Sequence, residues 1–573
     1  MNILKWDKNK WISVAQALFP YVVILIAIHL MISYQTSVWS THITGDRYLH
    51  FYRFYDDSMQ LRTGNFSYFQ TNYGFNQSGR IFNALYGPLF AYLNGLLLIL
   101  CRTWYNFDIL TIYLVFLIGG IGMYQLGRKA KVNNIISILL AIIYLQFGII
   151  VGFLEYNFMA WGAALAPFVM IQAINMVQDV KRPIHWLNLA LILALCAQIH
   201  MLTTAILPFT LLPFAIYGLC VTPNKKEMII DFFKAVGSFL LLTANIWGAF
   251  LVVYSKNKIS APNTFPMSQS AIKYSSAFFD HGKLSALLIL LIVLQVIYVL
   301  THFKKSMFNT LATIVSVIII LFSSVLVPWD RVQARFPKLG QMFQFPYRLD
   351  VGAIPLILVG IGISLTELMQ TNIKVVRAYA VMIVFLTLMQ LFAGTVRSEY
   401  ATNTTNRMLN YYIMTKDVSQ IKHATRYTNN DKLFNLIKRS EPDYLPIKTS
   451  ADNMLYNHKI LDQQNNYKRK IIGSRMILTW NSTKAEKRTL PVVMYKQSRL
   501  IVNGKDVSNT AKNQICMPIV NSRKGVNKAS LQFIVPIWFW GLLLVTIVSW
   551  IGYLIYYVWL RLKEYEKNRS ALA

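Results

Sequence analysis

Asp46, His50, Arg53 and Asp57 follow one another at intervals of four, three and four residues. At about 100° per residue, an α-helix would gather all four within roughly 60° of one face. Tyr48, Leu49, Phe51, Tyr52 and Tyr55 would occupy the rest of the surface, as expected of a helix lying in the aromatic belt of a membrane. The polar stripe is then either a solvated face or a reactive one. A helix that only meets headgroups carries Lys and Arg, whereas this stripe pairs carboxylates with a histidine and an arginine. That mixture suits acid/base chemistry beside a phosphate, with Asp taking a proton and Arg holding the anion.

Further polar residues stand at the ends of apolar runs. Glu155, in Gly152-Phe-Leu-Glu-Tyr-Asn157, either caps a helix or acts as a second acid or metal ligand facing Asp46. His200, in Gln198-Ile-His-Met-Leu-Thr203, is either functional, as intramembrane ionisable groups usually are, or bonded to a nearby backbone carbonyl. The stretch from Pro328 through Arg335 to Asp350 is dense in arginines and aromatics. Interfacial anchoring accounts for Trp329 and Tyr347, but Arg348 and Asp350 open an apolar run and require partners if buried. No regular ligand spacing links Asp56, Asp57, Asp280 and His281, so neither a metal nor another cofactor is expected.

The chain that must position these groups has 573 residues, 55% of them hydrophobic and only 14% charged. Such a composition belongs to a lipid-embedded protein. Apolar runs of 18 or more residues recur from Ala15 to Tyr557, and in hydrocarbon such runs must be helical. The first, Ala15 to Ser33, follows Lys5, Lys8 and Lys10 and reads as an uncleaved signal anchor. Four scattered cysteines exclude a disulfide framework, and the absence of a P-loop, a dinucleotide fingerprint or an internal repeat counts against an ATP-driven pump.

If every apolar run crosses, the basic turn Arg128-Lys129-Ala130-Lys131 lies outside, against the positive-inside rule. Reading Ala84 to Arg102, with its Gly87-Pro88, as a juxtamembrane or re-entrant helix restores the rule. Twelve spans are then expected near 15–34, 107–127, 133–153, 158–177, 187–200, 204–221, 229–250, 283–302, 307–327, 349–368, 376–394 and 533–559. Both termini and the basic turns 178–186, 222–228, 302–306 and 369–377 fall in the cytoplasm. The fold class is thus an all-α polytopic membrane bundle plus a small β-rich extracytoplasmic domain. Residues 1–394 form the core, with a first external loop at 35–106; residues 395–532 form the external domain; residues 533–573 hold the last span and a basic cytoplasmic tail.

The stretch 395–530 carries 24 Lys and Arg against 9 Asp and Glu. It is attracted either to lipid headgroups or to a polyanion such as a cell-wall polymer. Arg475–Trp480, Pro491–Tyr495 and Leu500–Gly504 read as strands, with Asn503-Gly504 as a hairpin turn.

Taken in order, Gly45-Asp46, His50, Arg53, Gly64-Asn65-Phe66 and Tyr86-Gly87-Pro88-Leu89 resemble the first external loop of the GT-C superfamily of membrane glycosyltransferases. The YfhO-like branch of Gram-positive bacteria is the nearest in pattern. His200, Phe345-Pro-Tyr-Arg-Leu349 and Pro442-Asp-Tyr-Leu-Pro446 agree with it. The resemblance implies juxtamembrane helices packed on the bundle and sugar transfer from a polyprenyl-phosphate donor to an extracytoplasmic acceptor, such as a teichoic-acid-like polymer or a glycolipid. It implies no nucleic-acid partner. Asp46 matches the usual catalytic carboxylate, although many members carry two neighbouring acids there and this chain has Arg47. A second carboxylate would come from Asp56, Asp57 or Glu155. His50 and Asp57 would complete the catalytic set, while Arg53, Arg335, Arg348 and His200 would bind the phosphate. The alternatives are a transporter or flippase of lipid-linked sugars, and a non-catalytic cell-surface assembly protein.

Overall fold

The computed structural model describes residues 8–43, 45–154, 158–262, 264–275, 284–371, 373–403, 412–413, 418–438, 443–449 and 453–572. Among the described residues, seven helices are long and apolar enough to cross a bilayer: Trp11–Met31, Trp104–Lys129, Ala160–Gln178, Met201–Val221, Pro346–Gln370, Arg377–Val396 and Ile537–Lys563. Two bent pairs bring the number to nine if each crosses as one span. Asn134–Leu145 and Gly148–Leu154 meet at 51°, and Lys225–Leu242 and Ala244–Tyr254 at 62°. The chain is a multi-pass membrane protein, with fewer full-length spans than the twelve expected. The other three expected spans are the helices Trp186–Ile199, of 14 residues, and Ala286–His302 and Met307–Ser323, of 17 each. All three fall short of the roughly 20 residues that traverse the hydrocarbon.

Two boundaries also move. The helix Ile373–Asn403 runs past the expected end at 394. The last helix begins at Ile537, because the strand Gly525–Phe533 and Pro536 occupy the chain before it.

The segment 84–102 contains the helix Pro88–Cys101, which packs against the helix Gly45–Thr63. Gly95 permits the approach, since a Cβ there would come within 2.8 Å of the Ser58 nitrogen.

Towards the C-terminus lies an antiparallel five-stranded sheet in the order Lys468–Ile472, Arg475–Ser482, Gly525–Phe533, Ser498–Val502, Lys505–Asp506. Alternation along Arg475–Ser482 turns Met476, Leu478 and Trp480 inward. Asn503 and Gly504 both take positive φ, 50° and 85°, the backbone that a two-residue hairpin turn demands.

This sheet domain is seated on the stretch that follows the helix Gly45–Thr63. Val493 N donates to Ser78 O at 2.8 Å and Ile81 N to the Tyr495 hydroxyl at 3.1 Å. Phe69, Ile81, Tyr456, Val493, Phe533 and Phe539 close over the seam as one apolar cluster. A second segment, 418–438, covers the helix Gly45–Thr63 directly. There the Tyr48 hydroxyl donates to Ile437 O at 2.6 Å, and the Phe434 ring lies 4.5 Å from that of Tyr52.

Candidate functional site

The helix Gly45–Thr63 is as charged as its sequence indicates, yet Arg47, His50, Arg53, Asp56 and Asp57 are all buried, and only Asp46 in the first turn and Arg62 in the last are exposed. Burying five ionisable groups on one helix requires internal partners for each. Arg53 is fully buried and has the fullest set. Its Nε donates to Asn83 Oδ1 at 2.9 Å, Nη1 to His50 Nδ1 at 2.8 Å and Nη2 to Tyr86 O at 3.0 Å. Asn83 in turn donates to Asp57 Oδ1 at 2.9 Å, so one amide bridges arginine and carboxylate. The His50 ring is stacked on Phe158 at 3.6 Å, which fixes its plane.

Asp56 and Asp57 are neighbours with unequal solvation. Asp56 accepts from the backbone N–H groups of Tyr73 and Gly74 at 2.6 and 2.9 Å and from Gln60 Nε2 at 2.7 Å. Asp57 has Asn83 and a long 3.4 Å contact to Gln60, and its Oδ2 is buried with no hydrogen-bond partner among the described residues. Asp57 is therefore the less compensated carboxyl of the two. Burial, and then Asp56 beside it, push it well above the usual carboxylate range, against Arg53 and the Asn83 bond.

Arg47, the departure from a paired-acid motif, points the other way. It forms an ion pair with Asp108 of the helix Trp104–Lys129 and donates to Phe153 O at 2.7 Å. Asp108 also accepts from Gln35 Nε2 at 2.8 Å and His42 N at 3.0 Å. Arg47 thus ties the charged helix to the bundle.

Around Asp46 the chain brings together groups from distant segments. The Asp46 carboxylate acts electrostatically on both the Tyr86 phenol and the Arg348 guanidinium. Tyr86 and Tyr444 place their hydroxyls 3.5 Å apart. Burial pushes the Tyr86 phenol up to about 12 against the Tyr444 bond, and Asp46 and Asp443 add to the rise. Arg348 lies 4.5 Å over the Phe345 ring and donates Nη1 to Phe343 O at 2.9 Å. Arg348 and Arg53 both act on His200. His200 Nδ1 accepts from Thr203 N at 3.2 Å, so the histidine caps the helix Met201–Val221 while facing the arginines. The turn Tyr86-Gly87-Pro88 is locked against this break. Gly87 has φ +77°, and a Cβ on it would stand 2.0 Å from Gln198 O.

Asp46, His50, Arg53, His200 and Arg348 therefore share one region. Asp57 sits eleven residues from Asp46, about 16 Å along the helix, and faces Asn83 instead. Arg335 is exposed at the end of the helix Trp329–Arg335 and makes no hydrogen bond or ion pair to this group among the described residues. Asp350 bonds Ser323 Oγ at 2.8 Å, which supplies the partner its burial requires. Glu155, Asp280 and His281 lie outside the described residues. Among those described, no three His, Cys, Asp or Glu side chains gather where they could hold a metal ion.

Tyr86 and Tyr444 escaped the sequence reading as site residues. Both stand in segments that it singled out, Tyr86-Gly87-Pro88-Leu89 and Pro442-Asp-Tyr-Leu-Pro446, but in a chain with 32 tyrosines a phenol carries little signal.

No family model matches the chain. No curated protein matches it. Among solved structures, the crystal structure of the Archaeoglobus fulgidus oligosaccharyltransferase in complex with zinc and sulfate is similar at 14% identity and a TM-score of 0.30. The match covers 74% of this chain and 59% of that one. A likeness of that degree does not establish a shared fold, and the chemistry of the site rests on its own residues.

The upward shift of the Asp57 carboxyl has a measurable consequence. A carboxyl raised on folding contributes stability that is complete below its ordinary value of 3.8 and is lost as pH rises through the folded value. Asp57→Asn keeps the neutral form at every pH. Thermal unfolding in detergent between about pH 4 and 8 should decline with pH in the wild type and decline less in the variant. Parallel curves would show that folding does not raise the Asp57 carboxyl.

Proposed function

We propose that the chain is a membrane glycosyltransferase of the GT-C kind, close to the YfhO-like branch of Gram-positive bacteria. It would transfer a sugar from a polyprenyl-phosphate donor to a cell-envelope acceptor outside the membrane, an anionic polymer or a glycolipid. The observation that carries this reading is the position of Asp46: an exposed carboxylate at the end of a buried charged helix, in electrostatic range of Arg348 and Tyr86. Acceptor oxygen attacks the anomeric carbon, Asp46 takes its proton, and the bond from that carbon to the donor phosphate oxygen breaks with its electron pair on the phosphate. Arg348 offsets the charge that develops there. Arg53 and His50 hold the helix and the Tyr86 carbonyl in place, and Asp57 supports Arg53 rather than reacting.

A transporter would place charged groups at broken helices near the membrane midplane. The break between Leu242 and Ala244 is instead lined by the uncharged Gln198 and Asn245, which bond each other at 2.9 Å. That favours the enzyme.

In this reading the charged helix and the sheet domain face outwards and both termini lie in the cytoplasm, in keeping with the basic turns. Cysteines introduced at Lys505 and Lys129 test it in intact cells: an impermeant thiol reagent should label the first and spare the second, and the reverse pattern would invert the site's compartment.

Asp46→Asn preserves shape and removes the proton acceptor. Purified variant should bind donor normally while transferring labelled sugar about 10²- to 10⁴-fold more slowly. Arg348→Ala should lose donor affinity and transfer together. Near-normal transfer by Asp46→Asn would end the catalytic assignment.

A further inference from the structure

Tyr444 has φ +62°, in the left-handed region that residues bearing a Cβ seldom occupy. Such a backbone persists only where its surroundings over-determine it, and here four bonds do so. Arg80 Nη2 donates to Asp443 O, and the Tyr495 hydroxyl donates to Tyr444 O at 3.1 Å. Ser260 N donates to Leu445 O at 2.8 Å and Ile447 N to Lys258 O at 2.9 Å. Arg80 is itself fully buried, with Phe75, Phe82 and Tyr456 rings 5.3 to 5.8 Å from its guanidinium carbon. Its Nε and Nη1 have no hydrogen-bond partner among the described residues, so the bond to Asp443 is what its burial secures.

The side chain held this way reaches the region of Asp46. The Tyr444 and Tyr86 rings meet edge to face at 5.6 Å and 90°, with Phe82 perpendicular to Tyr444 on another side. Their hydroxyls stand 3.5 Å apart, well beyond the usual 2.7 to 2.8 Å of an O–H···O bond. Each O–H is therefore weakly engaged and can turn to an acceptor placed against both. Next to the phenols is Arg348, whose buried Nε has no hydrogen-bond partner among the described residues. Two hydroxyl donors and a guanidinium donor suit an anionic oxygen, and a phosphate presents several.

We propose that Tyr86 and Tyr444 jointly bind a phosphate oxygen of the ligand, so that the sheet domain side of the chain supplies part of the binding site and Arg80 is the positioning residue that holds it in register. That the phosphate is lipid-linked rests on the function proposed above; the phenol pair does not.

The test uses the full chain in detergent micelles, with intrinsic fluorescence titrations against a polyprenyl phosphate and against inorganic phosphate. Tyr444→Phe and Tyr86→Phe keep the rings and remove one hydroxyl each. Each should weaken polyprenyl phosphate binding about tenfold or more, as expected for losing a hydrogen bond to a charged group. Arg80→Gln should weaken it comparably, and its combination with Tyr444→Phe should be little worse than either alone, since both act through one hydroxyl. Should Arg80→Gln fail to fold, the two phenylalanine variants decide the matter. Unchanged binding in both of these would overturn the proposal, as would a wild type that binds neither probe. A wild type that binds inorganic phosphate through the two phenols but not polyprenyl phosphate would retain this site and overturn the lipid-linked reading instead.

Discussion

A guanidinium sealed from water is costly unless partners inside the protein meet its charge and its N–H donors, and at Arg53 that constraint organises the site. The bonds to His50, Asn83 and Tyr86 O join two segments that are separate in sequence, the charged helix and the turn before Pro88. Removing any one of these partners would leave a buried donor exposed to nothing, at a cost of about 1 to 3 kcal/mol. The geometry around Asp46 is therefore inherited from an arginine about two helical turns away.

The same economy recurs at each seam of this region. Arg47 bonds Asp108 and anchors the charged helix to the bundle; Arg80 bonds Asp443 O and anchors the sheet domain side to the first loop. Both guanidiniums rest against aromatic rings, Phe153 for the first and Phe75, Phe82 and Tyr456 for the second. Arginine suits such places because its planar cation is weakly hydrated and stacks on rings while its edge donates. Asp46 is left exposed at the meeting point of these fixed segments, and the proton transfer proposed for it needs that access.

The sequence made some of this legible and hid the rest for identifiable reasons. The four-three-four spacing indicated the helix Gly45–Thr63, and Gly87-Pro88 indicated a helix start that is not a full span. Asn503-Gly504 indicated its hairpin, since few dipeptides tolerate two positive φ values. Shared helical face did not mean shared environment, however. Asp46 is exposed while Asp57 is buried, because the covering segment 418–438 and the helix Pro88–Cys101 come from elsewhere in the chain. Asp108 lay unnoticed within an apolar run, since the partners that give it meaning, Arg47, His42 and Gln35, stand 61 to 73 residues away. The breaks at Gln146 and Thr243 passed as continuous spans because apolar residues flank both, and at Thr243 neither glycine nor proline marks the bend. Tyr444 depends on contacts over more than 350 residues of chain, which no local pattern encodes.

The central claim is that Asp46, Tyr86, Arg348 and Tyr444 surround one ligand, a lipid phosphate bearing a sugar. Photolabelling measures this most directly, with a polyprenyl phosphate carrying a photoreactive group beside the phosphate, irradiated with the full chain in lipid nanodiscs and mapped by mass spectrometry. The account predicts adducts in peptides containing Asp46, Tyr86, Arg348 and Tyr444, all displaced by unlabelled polyprenyl phosphate. Displaceable adducts confined to other segments would contradict it.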